Sequence, residues 1–198
     1  MRHEFKLILA STSPRRSEIL RNAGFDFEVV PVHADESLRP GEAATDYVRR
    51  LAEEKARIVA RQLAKDAAGD STFIIAADTV VVIDNEILGK PSSAANARDM
   101  LHRLSGKTHE VYTGLSVLRG NASRTVVEMT RVTFVTLSKQ EIEDYIATGE
   151  PFDKAGAYAI QGQGGNFISR IEGCYLNVMG LPLARLYAIL RELQEDLQ

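Results

Sequence analysis

Phe73-Ile74-Ile75-Ala76-Ala77-Asp78-Thr79-Val80-Val81-Val82-Ile83 is the most apolar run of the chain, and its reading decides the fold. Its length and its valines and isoleucines favour a buried strand. Asp84-Asn85-Glu86 then turns the chain into Ile87-Leu88, as in a hairpin. Working back from this run, Phe5 to Ala10 reads as a short strand, followed by Ser13 as a helix N-cap and Pro14 at the first helical position. That helix runs through Leu20 and stops at Gly24, a natural left-handed end. Phe27 to Val30 reads as a second strand. Ala43 to Ala64 shows helix spacing, with Val48, Leu51, Ile58 and Leu63 as its core residues, and Lys65 to Ser71 is a polar loop.

Working forward, Ala94 to Leu104 reads as helix, with a turn at Ser105-Gly106. Two β-like stretches follow, Val111–Leu118 and Val126–Leu137, joined at Gly120-Asn121. Ser138 and Glu141 form a capping-box pattern for a helix ending near Gly149. Gly156 to Gly173 is glycine-rich and strand-like in pieces, and Leu183 to Leu193 is a closing amphipathic helix. Strands alternate with helices but hairpins also occur, so the fold class is α/β with a mixed sheet. No repeat or linker interrupts it, which predicts one domain over residues 1–198.

The chain has 198 residues, 44% hydrophobic and 26% charged, a globular composition long enough to bury a core unaided. A net charge of −3, with no tryptophan and no stripe of alternating aromatic and basic residues, disfavours a nucleic-acid-binding module. A single cysteine, Cys174, excludes an internal disulfide and a zinc site built from several cysteines. No apolar stretch approaches the roughly 20 residues of a membrane span, and Met1 to Lys6 carry no signal-like segment. The expectation is a cytoplasmic protein without a membrane partner.

Ser11-Thr12-Ser13-Pro14-Arg15-Arg16 lies between a predicted strand and a helix. Backbone N–H groups and the helix dipole make such a start an anion site, and the hydroxyls and arginines add donors suited to phosphate. The same residues also suit a capped helix with solvated arginines. Without the glycines and lysine it is no Walker loop. Asp78 is the sharpest feature: a carboxylate inside an apolar run needs a cation, donors or a metal unless it merely caps a strand end. Lys55, in Glu53-Glu54-Lys55-Ala56, reads by itself as a solvated helix lysine. Lys90, fixed between Gly89 and Pro91, suits a phosphate contact as a point charge. Asp35-Glu36 reads either as solvated loop charge or as a metal contact. His3, His33, His102 and His109 have no ligand spacing, and His109 reads as structural. In Asp153–Gly162, glycines permit close backbone approach to a ligand, and the Gln161 amide both donates and accepts, as reading a base edge requires.

Taken in order, these segments closely resemble the Maf family of nucleotide pyrophosphatases. The resemblance is carried by Ala10-Ser11-Thr12-Ser13-Pro14-Arg15-Arg16, Asp35-Glu36, Arg50-Leu51-Ala52-Glu53-Glu54-Lys55-Ala56 and Ala76-Ala77-Asp78-Thr79-Val80-Val81. It continues through Gly89-Lys90-Pro91, Leu104-Ser105-Gly106, Tyr158-Ala159-Ile160-Gln161-Gly162 and Asn177-Val178-Met179-Gly180-Leu181-Pro182, over about residues 7 to 183. Each motif is weak; the ordered set is specific. The resemblance implies an elongated mixed sheet with flanking helices, two lobes about a central cleft, as in Ham1 and inosine triphosphatases. It implies a hydrolase that takes a nucleoside triphosphate to the monophosphate and pyrophosphate, a divalent cation (magnesium, manganese or cobalt), and a homodimer. Asp78 matches the family's proton acceptor. Arg15, Thr79 and Gln161 match positions that separate the subgroup acting on dTTP and UTP from the one acting on 7-methyl-GTP, and by them the chain resembles the dTTP and UTP group. Two departures are His33-Ala34 before Asp35-Glu36, and Gly164-Gly165 after Gln161.

The expected site follows from that match. Ser11, Arg15, Arg16, Lys55, Thr79, Lys90 and Gln161 bind substrate, Asp78 is catalytic, and Asp78 with Glu36 holds the metal. Arg16 either assists at the phosphates or braces its own loop. Two other functions compete: hydrolysis of 7-methyl-GTP, and a nucleotide-binding regulator of division with little turnover.

Overall fold

The structure is a computed structural model that describes residues 5–63 and 72–195; the polar loop expected over Lys65–Ser71 lies outside them. In chain order the elements are β1 (Lys6–Ala10), α1 (Pro14–Asn22), β2 (Glu28–Val30), α2 (Ala44–Leu63), β3 (Thr72–Ile83), β4 (Glu86–Leu88) and α3 (Ala94–Leu104). β5 (Thr108–Arg119), β6 (Ala122–Phe134), α4 (Lys139–Ala147), β7 (Ile168–Glu172), α5 (Tyr175–Met179) and α6 (Leu183–Glu195) follow, with 3-10 turns at Glu150–Asp153, Ala155–Ala157 and Gln163–Phe167. The strands hydrogen-bond in the order β2-β1-β3-β5-β6-β7, with β4 on β3. The sheet is mixed: β1 runs parallel to β2 and β3, whereas β3–β4 and β6–β7 are antiparallel.

The chain folds as two compact units that it enters in turn. The first unit takes the chain up to Asp78, then Thr113–Glu128 and the end from Gly180. Its core joins Ile8 and Ala10 of β1, Ile74 and Ala76 of β3, and Ala56 and Val59 of α2. Helix α2 buries Tyr47, Val48, Leu51, Ala52, Lys55, Ala56 and Val59, a stripe at helical spacing. Ile58 and Leu63, expected in the core, are only partly buried beside it, because the stripe turns through residues 55, 56 and 59. A Cβ on Gly114 of β5 would sit 2.2 Å from the Val48 carbonyl oxygen, so glycine is what lets α2 lie this close to the strand.

The second unit comprises Thr79–Tyr112 and Met129–Met179. Asp84 and Asn85 both take positive φ, 51° and 62°, in a two-residue turn that pairs Ile83 with Glu86. Helix α4 starts with the expected capping box of Ser138 and Glu141. Strand β6 ends at Phe134 rather than Leu137, because the Val135 N–H goes to the Phe167 carbonyl and the Leu137 N–H to the Ser105 hydroxyl. The glycine-rich segment holds 3-10 turns at Ala155–Ala157 and Gln163–Phe167, and only Ile168–Glu172 of it is strand. The one-turn helix α5 has no periodic signature in the sequence.

Candidate active site

The first unit assembles its charged residues at the C-terminal end of β1. Ser11 is buried, and its Oγ accepts the Ser13 N–H at 3.0 Å and Arg16 Nη1 at 3.3 Å. Ser13 occupies the N-cap position of α1 but its own side chain makes no cap bond; the hydroxyl two residues earlier ties the turn instead. The Arg16 Nε donates to the Gly180 carbonyl at 2.8 Å. Arg16 therefore braces its loop. Burial lowers its pKa and Arg15 adds to that, while Asp78 and Glu36 pull it back up.

Asp78 is 8% exposed, and its Oδ1 accepts from Lys55 Nζ at 2.7 Å. The same ammonium reaches Glu36 Oε1 at 2.8 Å. Lys55 is thus no solvated helix lysine: it is 7% exposed, on the core-facing stripe of α2, and bridges two carboxylates. Glu36 is not free loop charge either. Its backbone carbonyl accepts from the Tyr47 hydroxyl at 2.8 Å, and burial pushes that phenol up to about 12. Asp35 instead closes a local turn, accepting from the Ser37 N–H and hydroxyl.

Arg50, quoted above only as part of a motif, organises this loop. It forms a two-pronged bond to Glu42, at 2.6 and 2.8 Å, and donates to the Asp35 and Ser37 carbonyls. The hydrogen bond from Arg50 drives the Glu42 carboxyl down to about 2. An irregular loop with no ladder of its own is held by one planar guanidinium, which Lys could not imitate.

Among the described residues, no group of three or more His, Cys, Asp or Glu side chains gathers as a metal cluster. Asp78 and Glu36 nonetheless converge on a single ammonium. Two carboxylates are the hard donors with which magnesium or manganese is held, together with water and substrate phosphates. The pair fits such an ion in charge and donor type.

Thr79, Lys90 and Gln161 belong to the second unit. Thr79 is partly buried on β3; Lys90 and Gln161 are exposed. The Gly89-Lys90-Pro91 turn is tied to the glycine-rich segment by the Gly156 N–H, which donates to the Gly89 carbonyl at 3.0 Å. Gly156 has φ +69°, and a Cβ there would lie 2.8 Å from Val81 Cγ2. His109 is structural, as expected: Nε2 pairs with the Tyr158 hydroxyl at 2.8 Å, and burial lowers the ring to about 4.

A family model described as Maf-like protein matches residues 6–193. A relative from Methylococcus capsulatus named dTTP/UTP pyrophosphatase is 50% identical over 190 residues, 96% of this chain and 92% of its own. One of the same name from Citrifermentans bemidjiense is 51% identical over 187 residues, 93% and 94% of the two chains. Among solved structures, the Staphylococcus aureus Ham1 protein is similar over 65% of this chain and 71% of its own, with TM-score 0.41 and 14% identity.

Proposed function

The chain belongs to the Maf-like protein family, and we propose that it hydrolyses dTTP and UTP to the nucleoside monophosphate and pyrophosphate. The observation that carries the reading is the buried Asp78 carboxylate, sharing Lys55 with Glu36. Two carboxylates on one ammonium leave the cluster with a net negative charge, which suits a divalent cation. The name shared by relatives about half identical over nearly the whole chain supports the substrate class.

In this reading the triphosphate binds with its charge met by Arg15, Lys55 and Lys90, while the Ser11 hydroxyl donates to a phosphate oxygen. Arg16 keeps the loop in shape through Gly180 and Ser11. With Oδ1 held by Lys55, Asp78 takes the proton of the attacking water at Oδ2. The water oxygen bonds to the α-phosphorus, the bond from that phosphorus to the bridging oxygen breaks, and pyrophosphate leaves with the electron pair. Catalysis is then positioning and preorganised charge. A divalent cation held by Asp78 and Glu36 supplies further positive charge to the phosphate oxygens when bound. In the same reading Thr79 and Gln161 recognise the base, the Gln161 amide supplying one donor and one acceptor to a pyrimidine edge.

The test is pyrophosphate release from dTTP, UTP, CTP, dATP, GTP and 7-methyl-GTP, with and without magnesium or manganese. Metal-dependent release from dTTP and UTP is expected. Release from 7-methyl-GTP alone overturns the specificity, and release from none overturns the activity in favour of a binding protein.

A further inference from the structure

The glycine-rich segment rests on a carboxylate that no motif singled out. Glu150, in the turn after α4, accepts the Gln163 N–H at 3.1 Å, the Gly164 N–H at 3.1 Å and the Tyr145 hydroxyl at 2.7 Å. That tyrosine oxygen also accepts the Ala159 N–H at 3.1 Å. The two anchors flank Gln161: Ala159 is held two residues before it, and Gln163 and Gly164 two and three residues after. The Gly162 N–H closes the arc onto the Ala159 carbonyl at 3.2 Å.

Packing is as tight as the bonding. A Cβ at residue 162 would lie 2.3 Å from Glu150 Oε2, and one at 164 would lie 2.7 Å from the Tyr145 hydroxyl. The loop's own acid thus fills the place of a side chain at Gly162, and the Tyr145 hydroxyl with the Ala159 backbone fills it at Gly164. Partial burial alone would raise the Glu150 carboxyl, but the bonds from Gly164, Tyr145 and Gln163, with the nearby Lys154 charge, outweigh it and keep the group low and ionised. Tyr145 is fixed in turn, its ring edge-on to Phe167 at 5.0 Å.

We infer that Glu150, seated on Tyr145, is a positioning residue that holds the exposed Gln161 amide at the angle base recognition needs. The inference rests on the proposed role of Gln161. A side-chain amide tells thymine or uracil from cytosine only if its donor and acceptor stay in register with the ring edge, and a loop without a ladder must fix that register through bonds such as these.

The experiment compares Glu150→Gln, Tyr145→Phe, Gln161→Ala and the Glu150→Gln/Gln161→Ala double variant. Steady-state pyrophosphate release from dTTP and CTP is read with amide hydrogen exchange over residues 159–165. Glu150→Gln keeps size but offers an NH2 to the N–H donors. It should cut the dTTP/CTP preference about tenfold, mostly through KM, as should Gln161→Ala. The double variant should lose no more preference than Gln161→Ala alone. Exchange over residues 159–165 should quicken about tenfold or more in Glu150→Gln. Tyr145→Phe keeps the carboxylate and the ring, so it carries the same test if Glu150→Gln fails to fold. Preference retained in Glu150→Gln but lost in Gln161→Ala, or additive losses in the double variant, overturns the inference and leaves the function standing. Preference retained in Gln161→Ala removes the base-reading role and the inference with it.

Discussion

Replacing Lys55 by methionine tests the centre of the site. The perturbation removes the ammonium that bridges Asp78 and Glu36 and leaves a stem of similar length in the stripe of α2. The two arms are unequal. The side chains of Lys55 and Asp78 are 8% and 11% exposed, whereas that of Glu36 is 52% exposed. Removing one partner of a buried pair costs about 3–5 kcal/mol, because the remaining charge stays desolvated. The solvated Glu36 arm adds about 0–1 kcal/mol. Arg16, whose charge already feels Asp78 and Glu36, remains as partial compensation, so about 3 kcal/mol is expected for Lys55→Met. Asp78→Asn in the same background removes the orphaned charge. The double variant should then be more stable than Lys55→Met, with a coupling of about 2 kcal/mol between the sites. Urea denaturation of the wild type, both single variants and the double variant closes the cycle. A Lys55→Met cost under about 1 kcal/mol, or additive costs, refutes the claim that Asp78 depends on this lysine for its charge.

Asp78→Asn keeps the shape of the site and removes the proposed proton acceptor, so turnover of dTTP should fall at least about a thousandfold while the fold persists by circular dichroism; activity within tenfold of wild type would sink the assignment. Glu42 is held at about 2 by Arg50, below its ordinary 4.5. A depressed carboxyl contributes stability that is present above about pH 4.5 and lost as the pH falls towards about 2. Urea midpoints at pH 5 and pH 3 should therefore differ less in Arg50→Ala than in the wild type, and equal differences would show that the pair does not shape the acid limb. His109 is held neutral by burial, at about 4 against 6.5. The unfolded chain then binds the extra proton, so stability falls as the pH drops from 6.5 to about 4, by about 2 kcal/mol between pH 7 and pH 5. His109→Leu should lose that part of the pH dependence, and a pH profile parallel to the wild type would refute the assignment.

Much of the fold was legible because its signals are local. The β3 run declares itself by composition, the hairpin by Asp84 and Asn85 at positive φ, and α4 by a capping box that forms as written. Lys55 shows where local reading stops. Val48, Leu51, Ala52, Ala56 and Val59 define a stripe, and Lys55 falls on it by spacing alone. A lysine on an apolar stripe is either displaced to solvent or paired. Its partner is 23 residues away on β3, in a pairing that exists only once β1 has aligned the strand. The loop around Glu36 was harder still, because Arg50 holds it through backbone carbonyls of Asp35 and Ser37, which no side-chain pattern records.

The glycine-rich segment carries the same argument further. Composition reads it as backbone free to approach a ligand. A loop that approaches a ligand and a loop that collapses on its own acid use the same residue for opposite reasons, one to leave space and the other because none is left. At Gly162 the space is already taken, with the Glu150 carboxylate 2.3 Å from where a Cβ would stand. Glycine there is a consequence of Glu150, so replacing Gly162 by alanine should push on the carboxylate before it touches any substrate. Under the proposed function the binding role in this segment falls to Gln161, which is exposed, while Gly162 and Gly164 serve the packing against Glu150 and Tyr145.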